Sequence, residues 1–176
     1  MPISNYLEAL RAKVGNALVL VPSVTGIVYD AERRILLVKN ADTDVWVAPG
    51  GSMEPNELPA DTLVREMWEE TGLVVEPVRV LGVYGGPEFQ VSSPNGDEAA
   101  YVMTVFECRV LAGKPRADGI ETLHAVYFAQ PEVEKLAISR WLKVILTDIF
   151  LKQEKTCFEP SSWQPPESSD ADFLER

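Results

Sequence analysis

"GGSMEPNELPADTLVREMWEETGL", residues 50–73, places six acidic side chains around a single arginine, and three of them, Glu66, Glu69 and Glu70, crowd one end. The stretch from Leu58 to Thr71 reads as a helix. Pro59 suits a first turn, where a missing N–H costs nothing. Asp61 sits at the positive end of the helix dipole, and Gly72 is placed to stop the helix in a left-handed conformation. Ala60, Val64 and Met67 fall at i, i+4 and i+7 and predict a core-facing stripe. Glu66, Glu69 and Glu70 share a different face at i, i+3 and i+4, with Cβ atoms ~5–6 Å apart, and each like-charged pair repels by about 0.2–0.5 kcal/mol. They also lie at the helix C-terminus, where the dipole disfavours anions. Local physics works against this arrangement twice.

A divalent cation resolves the conflict. Mg2+ takes oxygen ligands at about 2.0–2.1 Å and keeps several waters. Carboxylates one turn apart are able to share one such ion or to hold two. The "APGG" loop, residues 48–51, lies just upstream, and glycine lets a backbone carbonyl approach a ligand closely. A merely solvated acidic face is the alternative reading, although such a face ordinarily mixes signs and carries lysines.

The 176 residues suffice for one well-buried domain and are short for two. A hydrophobic content of 46% with 24% charged residues predicts a packed core. The net charge of −11 argues against binding a nucleic-acid backbone. It leaves nucleotides open, because a cation can bridge an acidic protein to an acidic substrate; solubility alone is the other explanation. Cys108 and Cys157 stand far apart without His or Cys neighbours at metal spacing, which argues against a disulfide framework or a thiolate zinc site. The start, "MPISNYLEALRAKVGN", carries charges where a signal peptide needs an apolar run. The longest apolar stretch, "ALVLVPSVTGIVY", is broken by Pro22 and Gly26 and falls short of a membrane span. A cytoplasmic protein without membrane partners is expected.

Residues 1–16 predict a short N-terminal helix, with Tyr6, Leu7, Leu10 and Val14 at helical spacing and Gly15 as a stop. Within residues 17–153, "LVLVPSVTGIVYD" and "ILLVKN" read as strands. A short strand through Trp46 follows, then a Pro-Gly-Gly loop. "LVVEPVRVLGVYGG" and "AAYVMTVFECRVLAG" are long strands separated by the turn-rich loop "PEFQVSSPNGDE", and "TLHAVYFAQ" is another strand. "EVEKLAISRWLKVILTDIFLKQ" carries amphipathic helices with Trp141, Ile145, Ile149 and Leu151 as candidate buried positions. Residues 154–176, rich in Pro, Ser and acid, read as a flexible tail in which Trp163 and Phe173 are the side chains able to dock. Strands around one central helix, with helices at both ends, give an α+β or layered α/β/α class.

Gly51, Glu57 and the run Arg65-Glu66-Met67-Trp68-Glu69-Glu70-Thr71-Gly72-Leu73 resemble the Nudix box at every fixed position. The flanking order of elements is similar to a whole Nudix domain from about Ala17 to Lys152, and "YLEALRAKVGNALVLVPSV" is similar to a bacterial ADP-ribose pyrophosphatase-like subfamily. The resemblance implies an α/β fold, a Nudix-type α/β/α sandwich with a mixed β-sheet. It implies hydrolysis of the pyrophosphate linkage of a nucleoside diphosphate joined to another group, ADP-ribose or a nucleotide sugar first. By position, Glu66 and Glu70 would be the principal Mg2+ ligands, with Glu69 and the Gly50 carbonyl completing the set and Mn2+ as a substitute ion. Glu57 and Arg65 would form a pair fixing the loop to the helix, with Arg65 also orienting Glu69. Glu69 is the expected proton acceptor, with Glu98 and Glu121 as alternatives because family members differ here.

His124, the only histidine, lies in a strand pattern and reads as a packed or surface residue rather than a base. Substrate selection is expected from "YGGPEFQVSSPNGDEAAY", with Tyr84, Phe89 or Trp46 stacking on a nucleobase; each has a core reading as well. Pro87 lies near where the resemblance implies a proline in ADP-ribose hydrolases of the family. The expected partner is a small nucleoside diphosphate-type substrate, with no nucleic-acid polymer, and a homodimer as in many relatives. Two alternatives remain. A Nudix-fold sensor that binds without hydrolysis is disfavoured because every box carboxylate is present and no DNA-binding segment is appended. A nucleoside triphosphate housecleaning pyrophosphatase would share the metal chemistry and differ in its base pocket.

Overall fold

Alternation along two adjoining strands decides the layering. In the computed structural model, which describes residues 5–93, 95–150 and 155–164, β1 spans Val19–Val28 and β2 spans Ile35–Asn40. Val24, Val28 and Leu36 pack with Leu63 and Met67 of helix α2 (Pro59–Thr71). Ile27, Ile35 and Leu37 pack with Leu142, Ile145, Leu146 and Ile149 of helix α4 (Arg140–Phe150), which follows the short α3 (Gln130–Val133). Period-two side chains point to opposite faces, so β-structure lies between α2 and α4. The expected α/β/α sandwich is found, with α1 (Asn5–Val14) at the N-terminal side.

Two sheets supply the middle layer. One has the order β4-β1-β7-β5, from β4 (Gly50–Ser52), β5 (Val74–Tyr84) and β7 (Glu98–Ala112). β1 runs parallel to β7, while β4 and β5 are antiparallel to their neighbours, so this sheet is mixed. The second is antiparallel, in the order β3-β2-β8, with β3 (Trp46–Val47) and β8 (Thr122–Phe128). No helix among the described residues is long and apolar enough to cross a membrane.

Several expectations need correction. The Pro-Gly-Gly segment is a strand in part: Gly50, Gly51 and Ser52 pair with Thr25, Val24 and Ser23. Gly50 has φ 147°, and a Cβ there would collide with the Val24 carbonyl. Only glycine can make this approach. The turn-rich loop contains a 3-10 turn, Pro87–Phe89, and a hairpin strand, β6 (Gln90–Ser92), that folds back on β7.

The buried stripe of α2 runs through Leu63 and Met67, together with Thr62, Glu70 and Thr71, while Ala60 is exposed and Val64 only partly buried. Gly26 explains the rotation. It lies under the helix, where a Cβ would meet Met67 Sδ at 2.6 Å and Leu63 Cδ1 at 3.3 Å, so the line of closest approach follows those two side chains. Pro59 opens the helix and Gly72, at φ 67°, closes it with its N–H on the Trp68 carbonyl, both as expected.

The segment read as a tail begins by joining the sheet. Cys157 N–H bonds the Leu81 carbonyl at 2.8 Å, and its own carbonyl accepts Val83 N–H at 3.0 Å, which covers part of the β5 edge. Trp163 is exposed. Ile145 and Ile149 are buried and Trp141 partly so; Leu151 and Phe173 lie outside the described residues.

Leu63→Ala should cost ~2–5 kcal/mol, the range for emptying a closed core site, whereas Trp68→Ala on the exposed face should change stability by about 0.5 kcal/mol or less. Urea unfolding of both variants checks the helix rotation; similar midpoints would contradict it.

Candidate active site

The loop before α2 is tied to the helix by one guanidinium. Arg65 Nε and Nη2 donate to the two oxygens of Glu57 at 2.7 and 2.9 Å, a two-pronged, charge-assisted contact. Glu57 also accepts the Thr62 hydroxyl at 2.9 Å and the Glu54 N–H at 3.1 Å. The Arg65 contact outweighs burial and holds the Glu57 carboxyl down at about 2. The third nitrogen of Arg65, Nη1, reaches Glu66 Oε1 at 2.8 Å and Glu69 Oε2 at 3.1 Å. One cation therefore faces three carboxylates.

Glu70 is in a different situation. It is 5% exposed and accepts the Gly50 N–H at 2.9 Å. Among the described residues no basic side chain lies at ion-pair distance from it. Burial outweighs the Gly50 hydrogen bond, Glu66, Glu121 and Asp118 add negative field, and the carboxyl is pushed up to about 8. Burial also raises Glu66, against the opposing pull of Arg65. A Cβ on Gly51 would strike the Glu66 carboxylate. Gly50 and Gly51 thus form a surface on which both carboxylates rest.

This donor set fits a divalent cation. Two poorly solvated carboxylates one helical turn apart offer hard oxygen ligands suited to Mg2+, and neither His nor Cys stands with them to favour a softer metal. A cation would offset the cost of ionising the buried Glu70 carboxyl. Among the described residues, no three acidic, His or Cys side chains converge as a ready-made metal shell. Glu66 and Glu69 are turned to Arg65, and either must exchange that contact to ligate an ion.

The remaining candidates separate. Glu121 directly precedes β8, is partly buried, and contributes to the negative field at Glu66 and Glu70. Glu98 opens β7 beside α1, where its carbonyl accepts Arg11 Nη2 at 2.6 Å. Tyr84 and Phe89 are 5% and 3% exposed and stack on each other at 5.8 Å, with the Tyr84 hydroxyl donating to Asp148 at 2.9 Å. Neither ring offers a face to a nucleobase, so the core reading replaces the stacking one for both. Trp46 is partly buried, edge-on to Phe128 at 4.7 Å and stacked beside the exposed His124 at 6.3 Å.

Two residues were not foreseen. Thr122, 1% exposed, places its hydroxyl 3.0 Å from the Glu70 carbonyl, and Asp118 closes the turn before it. A threonine opening a strand looks like ordinary β-propensity, and nothing local signals a partner on α2.

Two outcomes follow from this electrostatic arrangement. Arg65→Ala leaves three carboxylates without their shared partner and should lower stability by about 1–3 kcal/mol, or roughly 2–12 °C in melting temperature; an unchanged melting temperature would contradict its bracing role. The raised Glu70 carboxyl gives stability that is fully present below about pH 4.5 and lost as pH rises through about 8. In cation-free buffer, wild-type melting temperature should therefore fall more steeply across that interval than that of Glu70→Gln. Parallel curves would contradict the burial argument.

Comparison with known proteins agrees with this geometry. The family described as NUDIX domain matches residues 19–154. A MutT-like protein of Streptomyces ambofaciens is 34% identical over 110 residues, covering 62% of this chain and 64% of that protein. An ADP-ribose pyrophosphatase of Methanocaldococcus jannaschii is 34% identical over 119 residues, covering 65% of each chain. The chain thus spans just under two thirds of the length of these curated relatives. The crystal structure of a MutT protein from Methanosarcina mazei Go1 superposes with a TM-score of 0.65 at 16% identity, covering 77% of this chain and 96% of that one, a likeness of fold. With the match running from β1 past α4 and enclosing the acids of α2, the chain belongs to the NUDIX domain family.

Proposed function

We propose that the protein hydrolyses the pyrophosphate linkage of a nucleoside diphosphate derivative, ADP-ribose or a nucleotide sugar, with Mg2+ or its substitute Mn2+. The observation that carries this reading is the Glu70 carboxylate, 5% exposed and without a basic partner among the described residues, one turn from Glu66. Such a group is costly to ionise unless a cation joins it. The kinship with a relative named as an ADP-ribose pyrophosphatase supports the substrate class.

Glu66 and Glu70 would hold the ion, with Glu69 and the Gly50 carbonyl completing the set. When bound, the ion supplies positive charge against phosphate oxygens that otherwise repel an incoming water. The chain's own residues do the rest. Glu57 and Arg65 hold the glycine strand and the helix at one spacing. Glu121 is the better proton acceptor than Glu69. Glu69 already shares Arg65 Nη1, whereas Glu121 is partly buried, lies near enough to add to the negative field at Glu66 and Glu70, and has its carboxyl raised by burial.

A release assay with ADP-ribose, UDP-glucose, a dinucleoside polyphosphate and dGTP tests this. The expected result is Mg2+-dependent cleavage at the pyrophosphate of ADP-ribose or the nucleotide sugar, abolished by EDTA and reduced by about 100-fold or more in folded Glu70→Gln. Preference for dGTP would shift the substrate class to triphosphates. Binding without turnover would favour the sensor reading, and wild-type rates in Glu70→Gln would overturn the metal assignment. At a hundredfold excess over its Kd, Mg2+ should also stabilise the wild-type fold by about 2.7 kcal/mol.

A further inference from the structure

The turn that carries Glu121 is closed by a carboxylate of its own. Asp118 Oδ1 accepts the N–H groups of Ile120, Glu121 and Thr122 at 3.0, 3.1 and 2.9 Å. Gly119, in a left-handed conformation at φ 78°, donates its N–H to the Thr122 carbonyl at 2.9 Å. Apolar packing is not what orders this turn, for Ile120 is 75% exposed. Two further contacts anchor it to the body. The single hydroxyl proton of Thr122 lies between the Glu70 carbonyl and Asp118 Oδ1, each 3.0 Å away. The Glu121 carbonyl accepts Ala41 N–H at 2.9 Å. Glu121 is thereby held through its amide and its carbonyl, with its backbone indexed to the residue on α2 that bears the buried carboxylate.

We propose that Asp118 and Thr122 are positioning residues that fix Glu121 relative to the acids of α2. The proposal rests on the reading of Glu121 as proton acceptor. Asp118 sets the conformation of the turn, and Thr122 sets its distance from Glu70. A slack turn would leave Glu121 chemically intact and misplaced, which lowers turnover without removing a substrate contact.

Two readouts test it on the full chain. In the cation-free protein, hydrogen exchange at the amides of Ile120, Glu121 and Thr122 should quicken about tenfold or more in Asp118→Ala while the remainder of β8 stays protected. With ADP-ribose and Mg2+, Asp118→Ala should lower kcat about 10- to 100-fold with KM within about threefold, the scale of a displaced catalytic group. Asp118→Asn, whose amide oxygen still accepts N–H groups, should recover most of both. Adding Asp118→Ala to Glu121→Gln should cost little more than Glu121→Gln alone, since the positioned group is already disabled. Should Asp118→Ala fail to fold, Thr122→Val carries the same double-mutant comparison. Unchanged exchange at the three amides, wild-type kcat in Asp118→Ala, or fully multiplicative losses would overturn the positioning role. Wild-type kcat in Glu121→Gln would instead overturn the proton-acceptor reading beneath it.

Discussion

The Arg65 guanidinium is the contact on which the site depends. Its planar fork meets Glu57 on one side, and its remaining nitrogen lies between Glu66 and Glu69 on the other. Lysine could not make this set of contacts, because a point charge lacks the fixed fork. The arrangement answers the repulsion among the α2 glutamates only in part. Arg65 serves two of the three, and Glu70 is left buried against a backbone amide. The cost of ionisation is concentrated at one carboxyl, the one with least access to water, and there a divalent ion gains most.

Close backbone packing makes that concentration possible. Gly26 lets α2 lie low on β1, which buries Leu63 and Met67 and carries Glu70 inward on the same side. Gly50 approaches the Val24 backbone more closely than any side chain would allow, and Gly51 leaves the space that the Glu66 carboxylate fills. Core packing and site electrostatics are two consequences of one helix position. Thr122 at the start of β8 reaches the Glu70 carbonyl, so the second sheet also bears on the register of the helix.

What could be read from the sequence followed the range of the interactions involved. The bounds of α2 were legible because Pro59 and Gly72 act within their own turns, and the strands β1, β2, β5, β7 and β8 because each carries its own apolar pattern. The acids of α2 were legible because their mutual repulsion is a property of helical spacing. Features set by distant partners were not. Gly50–Ser52 shows no strand propensity and becomes a strand only by pairing with Ser23–Thr25. The buried face of α2 was misjudged by about one residue because Gly26, far away in the chain, decides which side chains point down. Tyr84 and Phe89 resemble stacking aromatics until the core that encloses them is assembled. Thr122 gave no signal, since its meaning lies in a contact with a helix some fifty residues earlier, and Asp118, whose bonds to the amides of Ile120, Glu121 and Thr122 are local, reads as an ordinary turn residue.

The most direct measurement of the central claim is an electron paramagnetic resonance titration of Mn2+ into the cation-free protein and its Glu70→Gln variant. Loss of the free-ion signal on addition of wild-type protein, at least about tenfold weaker in the variant, is what a buried carboxylate ligand requires. Full free-ion signal with wild-type protein, or equal affinity in the two, would contradict the assignment of the α2 glutamates as a metal site.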